Sequence, residues 1–317
     1  MEIKNKQEYL SNASFPPALH FELTGKCNLK CKQCYNDSGS RETPMTANRW
    51  KKFAGQVADD LFSVTLSGGE PLLLGKNLFE IMDIFDANNT WINIISNGFF
   101  INRETAQRLA RYHLGWIAIS IDSPYEEYHD YLRGVKGSWR RAVMAASHLT
   151  SFNVPVYINS CVTPKSLTHI DEMVKLANDI GAKELTLAKV LLSGRTYQNE
   201  KELVLSEEET TEFEAKASEL NKKKNGIHIN ITTQSIEGAL NNHTCTTNYE
   251  IPVIRPDGNM RLSCFEPVII GNVLHENYLT LWERYKNVRN TINQFPGKLQ
   301  NIGKNYVDEE VYYAAVL

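Results

Sequence analysis

Three cysteines near the start of the chain constrain its fold more than any other feature. Cys27, Cys31 and Cys34 occupy one short segment, so the backbone that carries them must hold three thiols close together. Thiolates at this spacing can bind an iron–sulfur cube through three of its irons, which leaves the fourth iron without a protein ligand. An open position of this kind receives water or substrate at catalytic zinc sites. Spacing alone leaves two alternatives, a partial zinc knuckle and a redox pair of the Cys-x-x-Cys type.

A regular alternation of short apolar runs and amphipathic stretches predicts six strands with helices between them. Strands that alternate with helices form parallel sheets. Thr163-Pro164 predicts the start of a helix that ends at about Gly181. Ser206 begins a capping box for a helix that ends at about Lys224. The predicted strands are Leu19–Leu23, Ser63–Leu66, Ile92–Ser96, Trp116–Ile121, Val154–Val162 and Glu184–Ala188.

The alternation fades in the last third of the chain. There the sequence predicts a strand over Ile227–Thr232 and a hairpin over Ile251–Cys264. The predicted fold class is therefore α/β. We expect a partial (β/α)6 barrel over residues 1–225 and a small C-terminal α+β module over residues 226–317.

Composition narrows the classes of protein to consider. With 317 residues, of which 42% are hydrophobic, the chain can bury a large core. Its formal net charge of −3 gives no basic surface for nucleic acid. Residues 1–15 are too polar for a signal peptide, and no apolar stretch is long enough to span a membrane. We therefore expect a cytoplasmic protein with no nucleic-acid or membrane partner, in which cysteines do not form disulfides.

Polar motifs follow several of the predicted strands. The Gly68-Gly69-Glu70 turn follows the second strand, and its glycines allow a ligand to approach the backbone closely. Asn97-Gly98 follows the third strand, in a turn that suits sugar hydroxyls. Ser120 and Asp122, on the fourth, are one residue apart and therefore point to the same side. Because the loops at the carboxyl ends of parallel barrel strands build active sites, we expect these groups beside the three cysteines.

With these motifs in order, the chain resembles the radical S-adenosylmethionine (SAM) enzymes. Cys27, Cys31 and Cys34 match the Cys-x-x-x-Cys-x-x-Cys signature of that family. The resemblance implies a [4Fe-4S] cluster whose open iron binds SAM. One electron from the cluster would then cleave SAM to a 5′-deoxyadenosyl radical.

The resemblance also implies which residues contact SAM. Gly68, Gly69 and Glu70 match the motif that holds the methionine amino group, and Glu70 could accept hydrogen bonds from that ammonium. The family usually has an aromatic residue near the adenine at the position of Tyr35. The implied cofactor-binding set is Tyr35, Gly68, Gly69, Glu70, Asn97, Ser120 and Arg133.

A finer resemblance is to the branch that modifies peptides and proteins. It rests on the segments 120–123, 129–134 and 137–139 and on Ser193-Gly194-Arg195. The last part of the chain is similar to the first half of a SPASM or twitch domain, which normally carries an auxiliary iron–sulfur cluster.

That C-terminal resemblance departs from the pattern in its cysteines. Cys245 and Cys264 are the implied ligands, yet no cysteine follows Cys264 to complete the site. The alternatives are a second, auxiliary cluster completed by other ligands and a module that holds no metal.

The resemblance implies hydrogen-atom abstraction from a peptide substrate made on the ribosome, with a cross-link, an epimerised residue or an oxidation as the outcome. By position, Asp122 is the candidate polar group facing substrate or cofactor. Cys161 on the fifth strand could donate a hydrogen atom, as an epimerase requires; the alternative is a small buried hydrophobe.

The expected partners are the peptide and an electron donor such as flavodoxin or ferredoxin. Since only about eighteen residues precede the first strand, any leader recognition would use the barrel itself or a separate leader-binding protein. One rival hypothesis keeps the radical chemistry on a small molecule such as a sugar, nucleoside or tetrapyrrole. A second is a non-catalytic iron–sulfur electron carrier or sensor, which leaves the Gly68-Gly69-Glu70 turn unexplained.

Overall fold

A computed structural model of the chain describes residues 15–39, 44–222, 226–232, 251–264, 266, 268–294 and 311–312. The strands are β1 Ala18–Glu22, β2 Ser63–Ser67, β3 Trp91–Ser96, β4 Leu114–Ser120, β5 Val156–Val162, β6 Glu184–Lys189, β7 His228–Thr232, β8 Val253–Ile254, β9 Asn259–Arg261, β10 Val268–Asn272 and β11 Val311–Tyr312. The helices are α1 Ala47–Val57, α2 Lys76–Ala87, α3 Arg103–Leu109, α4 Glu126–Arg133, α5 Ser138–Ser151, α6 Pro164–Leu167, α7 Ile170–Ile180, α8 Glu200–Leu203, α9 Glu207–Lys222 and α10 Tyr278–Gln294.

All these strands belong to one sheet. From β1 to β7 they lie side by side in chain order, and each neighbouring pair is parallel. On the other side of β1, β8 pairs in parallel through His20 with Val253 and Phe21 with Ile254. Strands β8, β9 and β10 then form an antiparallel meander. The polar loops that follow β1 to β6 therefore meet at one edge of the sheet.

An aromatic core holds β1 in place beneath that edge. The ring of Phe21 lies 5.1 Å from that of Trp50 and 5.4 Å from that of Phe53, both on α1. The Trp50 indole donates a 2.8 Å hydrogen bond to the carbonyl of Leu23, the first residue after β1. Core packing thus anchors the point at which the cysteine-bearing loop leaves the sheet.

The structure confirms the α/β class and all six predicted strands, with shifts of one or two residues at their ends. The 251–264 hairpin is also present, as β8 and β9. Residues 228–232 extend the parallel series as β7. The domain boundary at residue 225 stays a prediction.

The single helix predicted from Thr163-Pro164 to about Gly181 is two helices in the structure. Thr163 does begin a helix, through a capping box with Ser166, but that helix ends after four residues. A new helix starts after His169 and ends at Gly181, which has the left-handed backbone expected there. Among the described helices, none is long and apolar enough to cross a membrane.

Candidate cofactor site

The cysteine loop, residues 23–39, directs three sulfur atoms toward N–H donors. The amide of Leu29 lies 3.4 Å from Cys27 Sγ, and the amide of Ser38 lies 3.4 Å from Cys34 Sγ. Arg133 Nη1 lies 3.7 Å from Cys31 Sγ. Hydrogen bonds to cysteine sulfurs tune the reduction potential of iron–sulfur clusters, so this donor set suits cluster ligands.

Burial affects the thiols of this loop. It raises the pKa of Cys27 to about 11, and it also raises the pKa of Cys31, which is 9% exposed. Metal binding to such thiols must release their protons. Within the described ranges, no three His, Cys, Asp or Glu side chains converge on a single-ion site.

The glycine turn, Gly68-Gly69-Glu70, packs directly on the cysteine loop. Gly69 N donates to Thr24 O at 2.6 Å, and Glu70 N donates to Lys26 O at 2.9 Å. A Cβ atom on Gly69 would lie 2.5 Å from the carbonyl carbon of Lys26, and Gly68 has a φ of +132°. The two glycines are therefore needed for contact between the two loops.

Glu70 is fully buried, and its carboxylate accepts hydrogen bonds from the protein. Oε1 accepts from Leu72 N at 3.0 Å and from Ser96 Oγ at 2.9 Å, and Oε2 accepts from Asn97 N at 2.8 Å. Burial raises the pKa of Glu70 to about 7, and these hydrogen bonds oppose the rise. Glu70 thus joins the loops after β2 and β3, and its predicted role toward an ammonium group stays a prediction.

Asn97 connects the loop after β3 to the cysteine loop. Its Nδ2 lies 2.9 Å from Asn28 Oδ1 and 3.9 Å from Cys27 Sγ, while its Oδ1 accepts from Phe99 N at 2.9 Å. The predicted cofactor residue therefore lies beside a predicted cluster ligand.

Asp122 and Arg133 form a buried ion pair beside the same loop. Asp122 Oδ2 lies 2.6 Å from Arg133 Nε, with side-chain exposures of 0% and 12%. The Asp122 carboxylate also accepts from Gln33 Nε2 at 2.6 Å and from Cys161 N at 3.1 Å. Burial disfavours the Arg133 charge, but Asp122 outweighs it and raises the pKa of Arg133. Asp122 thus connects the cysteine loop, α4 and β5; its predicted contact with substrate stays a prediction.

Cys161 is half-buried on β5. Burial raises the pKa of its thiol to about 12, and the nearby carboxylate of Asp122 adds to the rise. Through Asp122, which also accepts from Gln33, the backbone of Cys161 is linked to the cysteine loop. Ser120, the last residue of β4, is half-buried and pairs in register with Asn159 of β5.

Tyr35 connects the cysteine loop to the C-terminal strands. Its hydroxyl donates to Glu22 Oε1 at 2.9 Å, and Glu22 Oε2 lies 3.5 Å from Arg255 Nε. Burial opposes ionisation of Glu22, but Arg255 and other basic groups lower its pKa. Burial also raises the pKa of Cys264, a half-buried thiol in the same region, to about 12. Cys245 lies outside the described residues.

Arg195 is a site residue that sequence reasoning did not assign. Its Nε donates to Cys31 O at 2.8 Å, and its Nη1 donates to Ser38 O at 2.8 Å and pairs with Asp37 at 2.9 Å. The sequence feature that could have identified Arg195 is the Ser193-Gly194-Arg195 motif. Loops after β2, β3 and β6, together with the end of α4, thus surround the cysteine loop.

A family model described as the radical SAM superfamily matches residues 21–177, the part that carries this site. Residues 21–177 form a radical SAM domain. Enzymes of this family use a [4Fe-4S] cluster and SAM, and the thiols, N–H donors and glycine turn described above fit both. The match confirms the predicted α/β fold, the resemblance to radical SAM enzymes, and the [4Fe-4S] cluster and SAM as the cofactors of the family.

Several curated proteins are similar to the chain. It is 28% identical over 271 residues to the sporulation killing factor maturation protein SkfB of Bacillus subtilis, covering 83% of this chain and 63% of that protein. It is 27% identical to the PqqA peptide cyclase of Gluconobacter oxydans, covering 69% and 61%. It is 25% identical to the AdoMet-dependent heme synthase of Methanosarcina barkeri, covering 84% and 82%. The chain spans about three fifths of the length of the first two proteins.

Solved structures show the same fold at lower identity. Native anSMEcpe with bound AdoMet superposes with a TM-score of 0.68 at 20% identity, covering 86% of this chain and 82% of that one. Streptococcus suis SuiB bound to its precursor peptide SuiA superposes with a TM-score of 0.67 at 16% identity, covering 87% and 66%. At these identities the likeness concerns the fold.

Proposed function

We propose that this protein is a radical SAM enzyme that modifies a ribosomally made peptide. The supporting observation is the convergence of four polar segments on a loop whose three sulfurs each accept an N–H donor. An electron carrier or sensor needs only the thiols and the contacts that support their loop, whereas the match to the radical SAM superfamily supports an enzyme.

Cys27, Cys31 and Cys34 are the residues that would hold the cluster. When bound, the cluster and SAM supply a 5′-deoxyadenosyl radical that abstracts a hydrogen atom from substrate. The Gly68-Gly69 backbone holds the cysteine loop in place. Arg133 is the candidate contact for the cofactor carboxylate or for substrate, and its ion pair with Asp122 orients it at the cysteine loop.

Peptide as the substrate class is supported by the named relatives. One is called a peptide cyclase, and one structural neighbour was solved with a precursor peptide bound. The match to the relative called a heme synthase covers 82% of that protein's length, a larger share than for the peptide-modifying relatives. It supports a tetrapyrrole as the second candidate substrate. The proposed outcome on a peptide is a cross-link, an epimerised residue or an oxidation.

Two experiments test this proposal. Anaerobic reconstitution with iron and sulfide, followed by reduction with dithionite, should yield 5′-deoxyadenosine from SAM in the wild type but not in Cys31→Ala. The wild type should then form more of it with the peptide fraction of a source-cell extract, and exhaustive proteolysis of that fraction should abolish the gain. A gain that survives proteolysis would favour the small-molecule candidate, and no cleavage despite a reducible cluster would refute the proposal.

We also propose roles for the remaining cysteines. Cys161 is the candidate hydrogen-atom donor, and Cys245 with Cys264 is the candidate pair for an auxiliary cluster. Iron counting on Cys245→Ala/Cys264→Ala tests the second role. Loss of one cluster's iron would support it, and unchanged iron would show that these thiols hold no metal.

A further inference from the structure

The cysteine loop contains neither helix nor strand, and its two consecutive turns close with long hydrogen bonds. Cys34 N donates to Cys31 O at 3.3 Å, and Asp37 N donates to Cys34 O at 3.3 Å. Backbone hydrogen bonds are usually about 2.7–3.2 Å long, so neither turn is held strongly by its own closing bond. The carbonyls of two predicted cluster ligands therefore need support from outside the loop.

Arg195, which follows β6 in the chain, binds both of these carbonyls. Its backbone N donates to Cys34 O at 3.0 Å, and its Nε donates to Cys31 O at 2.8 Å. Its Nη1 donates to Ser38 O at 2.8 Å. One residue thus supports the first carbonyl of each turn and also binds the loop just beyond the second turn.

The residues before Arg195 bring this segment against the loop. Ser193 Oγ donates to Tyr35 O at 2.9 Å. Gly194 has a φ of +55°, and a Cβ there would lie 2.5 Å from Cys34 O. A larger residue at Gly194 would therefore move the backbone of Arg195 away from the turns.

The carbonyl contacts of Arg195 should contribute more than its ion pair. Its side chain is 19% exposed, whereas its partner Asp37 is 41% exposed, and exposed ion pairs contribute little. Hydrogen bonds from a charged donor to a carbonyl are stronger than neutral ones. The planar guanidinium binds Cys31 O through Nε and Ser38 O through Nη1, whereas a lysine has a single nitrogen for both carbonyls.

We propose that Arg195 is a positioning residue that holds Cys31 and Cys34 in their metal-binding arrangement before iron binds. This inference rests on the proposed function, in which these two thiols hold the cluster. A loop that is already ordered loses less conformational entropy on binding, so iron should bind more tightly and leave more slowly. Contacts that support metal ligands from behind typically contribute about 10–100-fold in metal affinity.

Arg195→Met tests this role, because methionine removes every side-chain donor and keeps an unbranched chain. Arg284→Met is the matched control. Arg284 Nη1 donates to Ile270 O at 2.7 Å, its Nη2 pairs with Glu276 at 2.8 Å, and its side chain is 21% exposed. The control therefore loses the same kinds of partner, a carbonyl and a carboxylate, at β10.

Three measurements compare these variants with the wild type. In the metal-free proteins, amide hydrogen exchange over residues 31–38 should be at least about tenfold faster in Arg195→Met and unchanged in Arg284→Met. After anaerobic reconstitution, a chelator should remove iron at least about tenfold faster from Arg195→Met alone. The reduced cluster of that variant should also show shifted EPR g values, because these depend on how the sulfur ligands are arranged.

Two milder variants separate the carbonyl contacts from the charge. Arg195→Lys keeps the charge with fewer donors, so its exchange and iron release should lie between those of the wild type and Arg195→Met. Asp37→Asn removes the ion pair and keeps the carbonyl contacts, so both rates should stay within about twofold of the wild type.

The outcomes separate this inference from the proposed function. Wild-type exchange and iron release in Arg195→Met would overturn the inference and leave the proposed function standing; if that variant does not fold, wild-type rates in Arg195→Lys would do the same. An equal loss in Arg284→Met or Asp37→Asn would also overturn it. So would faster exchange with unchanged iron release and g values, because Arg195 would then support the fold alone. A wild type that takes up no iron would refute the proposed function.

Discussion

Substitution of Gly69 by alanine tests whether the glycine turn supports the cysteine loop. The added Cβ would lie 2.5 Å from the carbonyl carbon of Lys26 and 3.1 Å from Cys27 N, whereas real Cβ atoms essentially never come within 3.0 Å of another heavy atom. The methyl group must therefore displace backbone by at least about 0.5 Å. Because these are backbone atoms, no side-chain rotation can relieve the clash.

The expected cost follows from this geometry. Overpacking a filled site costs about 1–3 kcal/mol, and backbone contacts place Gly69→Ala toward the upper end of that range. Gly55→Ala is the matched control, since Gly55 is exposed within α1 and a Cβ there meets nothing within 4 Å. Alanine is the better helix former, so the control should gain about 0.5–1 kcal/mol.

Two measurements compare these variants. Urea unfolding of the metal-free proteins gives the change in the free energy of unfolding. Iron per chain after anaerobic reconstitution shows whether the shift at Lys26 reaches Cys27, and we expect a clear loss in Gly69→Ala alone. If Gly69→Ala unfolds at the same urea concentration as the wild type and binds its full iron, the glycine turn does not support the loop.

Three further predictions concern buried charges and one helix end. Asp122→Ala should lower the free energy of unfolding by about 3–5 kcal/mol, because the Arg133 charge stays buried without its partner; a urea midpoint like that of the wild type would contradict this. The pKa of Glu70 is raised from 4.5 to about 7, so the folded protein binds a proton at Glu70 more tightly than the unfolded chain does. This proton stabilises the folded protein. The stabilisation is complete below about pH 4.5 and is lost as pH rises through about 7. Between these pH values the free energy of unfolding of the wild type should therefore fall by on the order of 3 kcal/mol relative to that of Glu70→Gln. Urea titrations of the metal-free proteins measure this difference. Parallel plots of unfolding free energy against pH for the two proteins would refute the prediction. Ser206→Ala should cost about 1 kcal/mol, since Ser206 Oγ accepts from Glu209 N and Glu209 Oε2 accepts from Ser206 N; an unchanged thermal midpoint would show that the cap adds nothing.

The parallel strands and the cysteine signature were predictable because both are local patterns. Buried parallel strands appear as short apolar runs, and the start of α9 follows from the capping box at Ser206. The interruption between α6 and α7 was not predictable, since Thr168 and His169, the two residues between these helices, are neither glycine nor proline.

The detailed role of each site residue depended on contacts between distant segments. Sequence alone predicted that a ligand approaches the backbone of Gly69 closely, whereas the group that lies against Gly69 in the structure is the backbone of Lys26. Asp122 was predicted only as a polar group that contacts substrate or cofactor. Its ion pair with Arg133 depends on where α4 ends relative to β4, which residue spacing does not determine.

The pairing of β8 with β1 has a consequence for the order of assembly. Val253 is made about 230 residues after its partner His20. At about 5–20 residues per second, β1 keeps one unpaired edge for roughly 10–50 s of synthesis. Such an edge can pair with other chains, and contacts so distant in sequence form slowly. Arg255, which completes the Tyr35–Glu22 connection, follows β8 directly. Iron that reached the cysteines before Arg255 was made would therefore meet a loop that still lacked the Tyr35–Glu22–Arg255 connection.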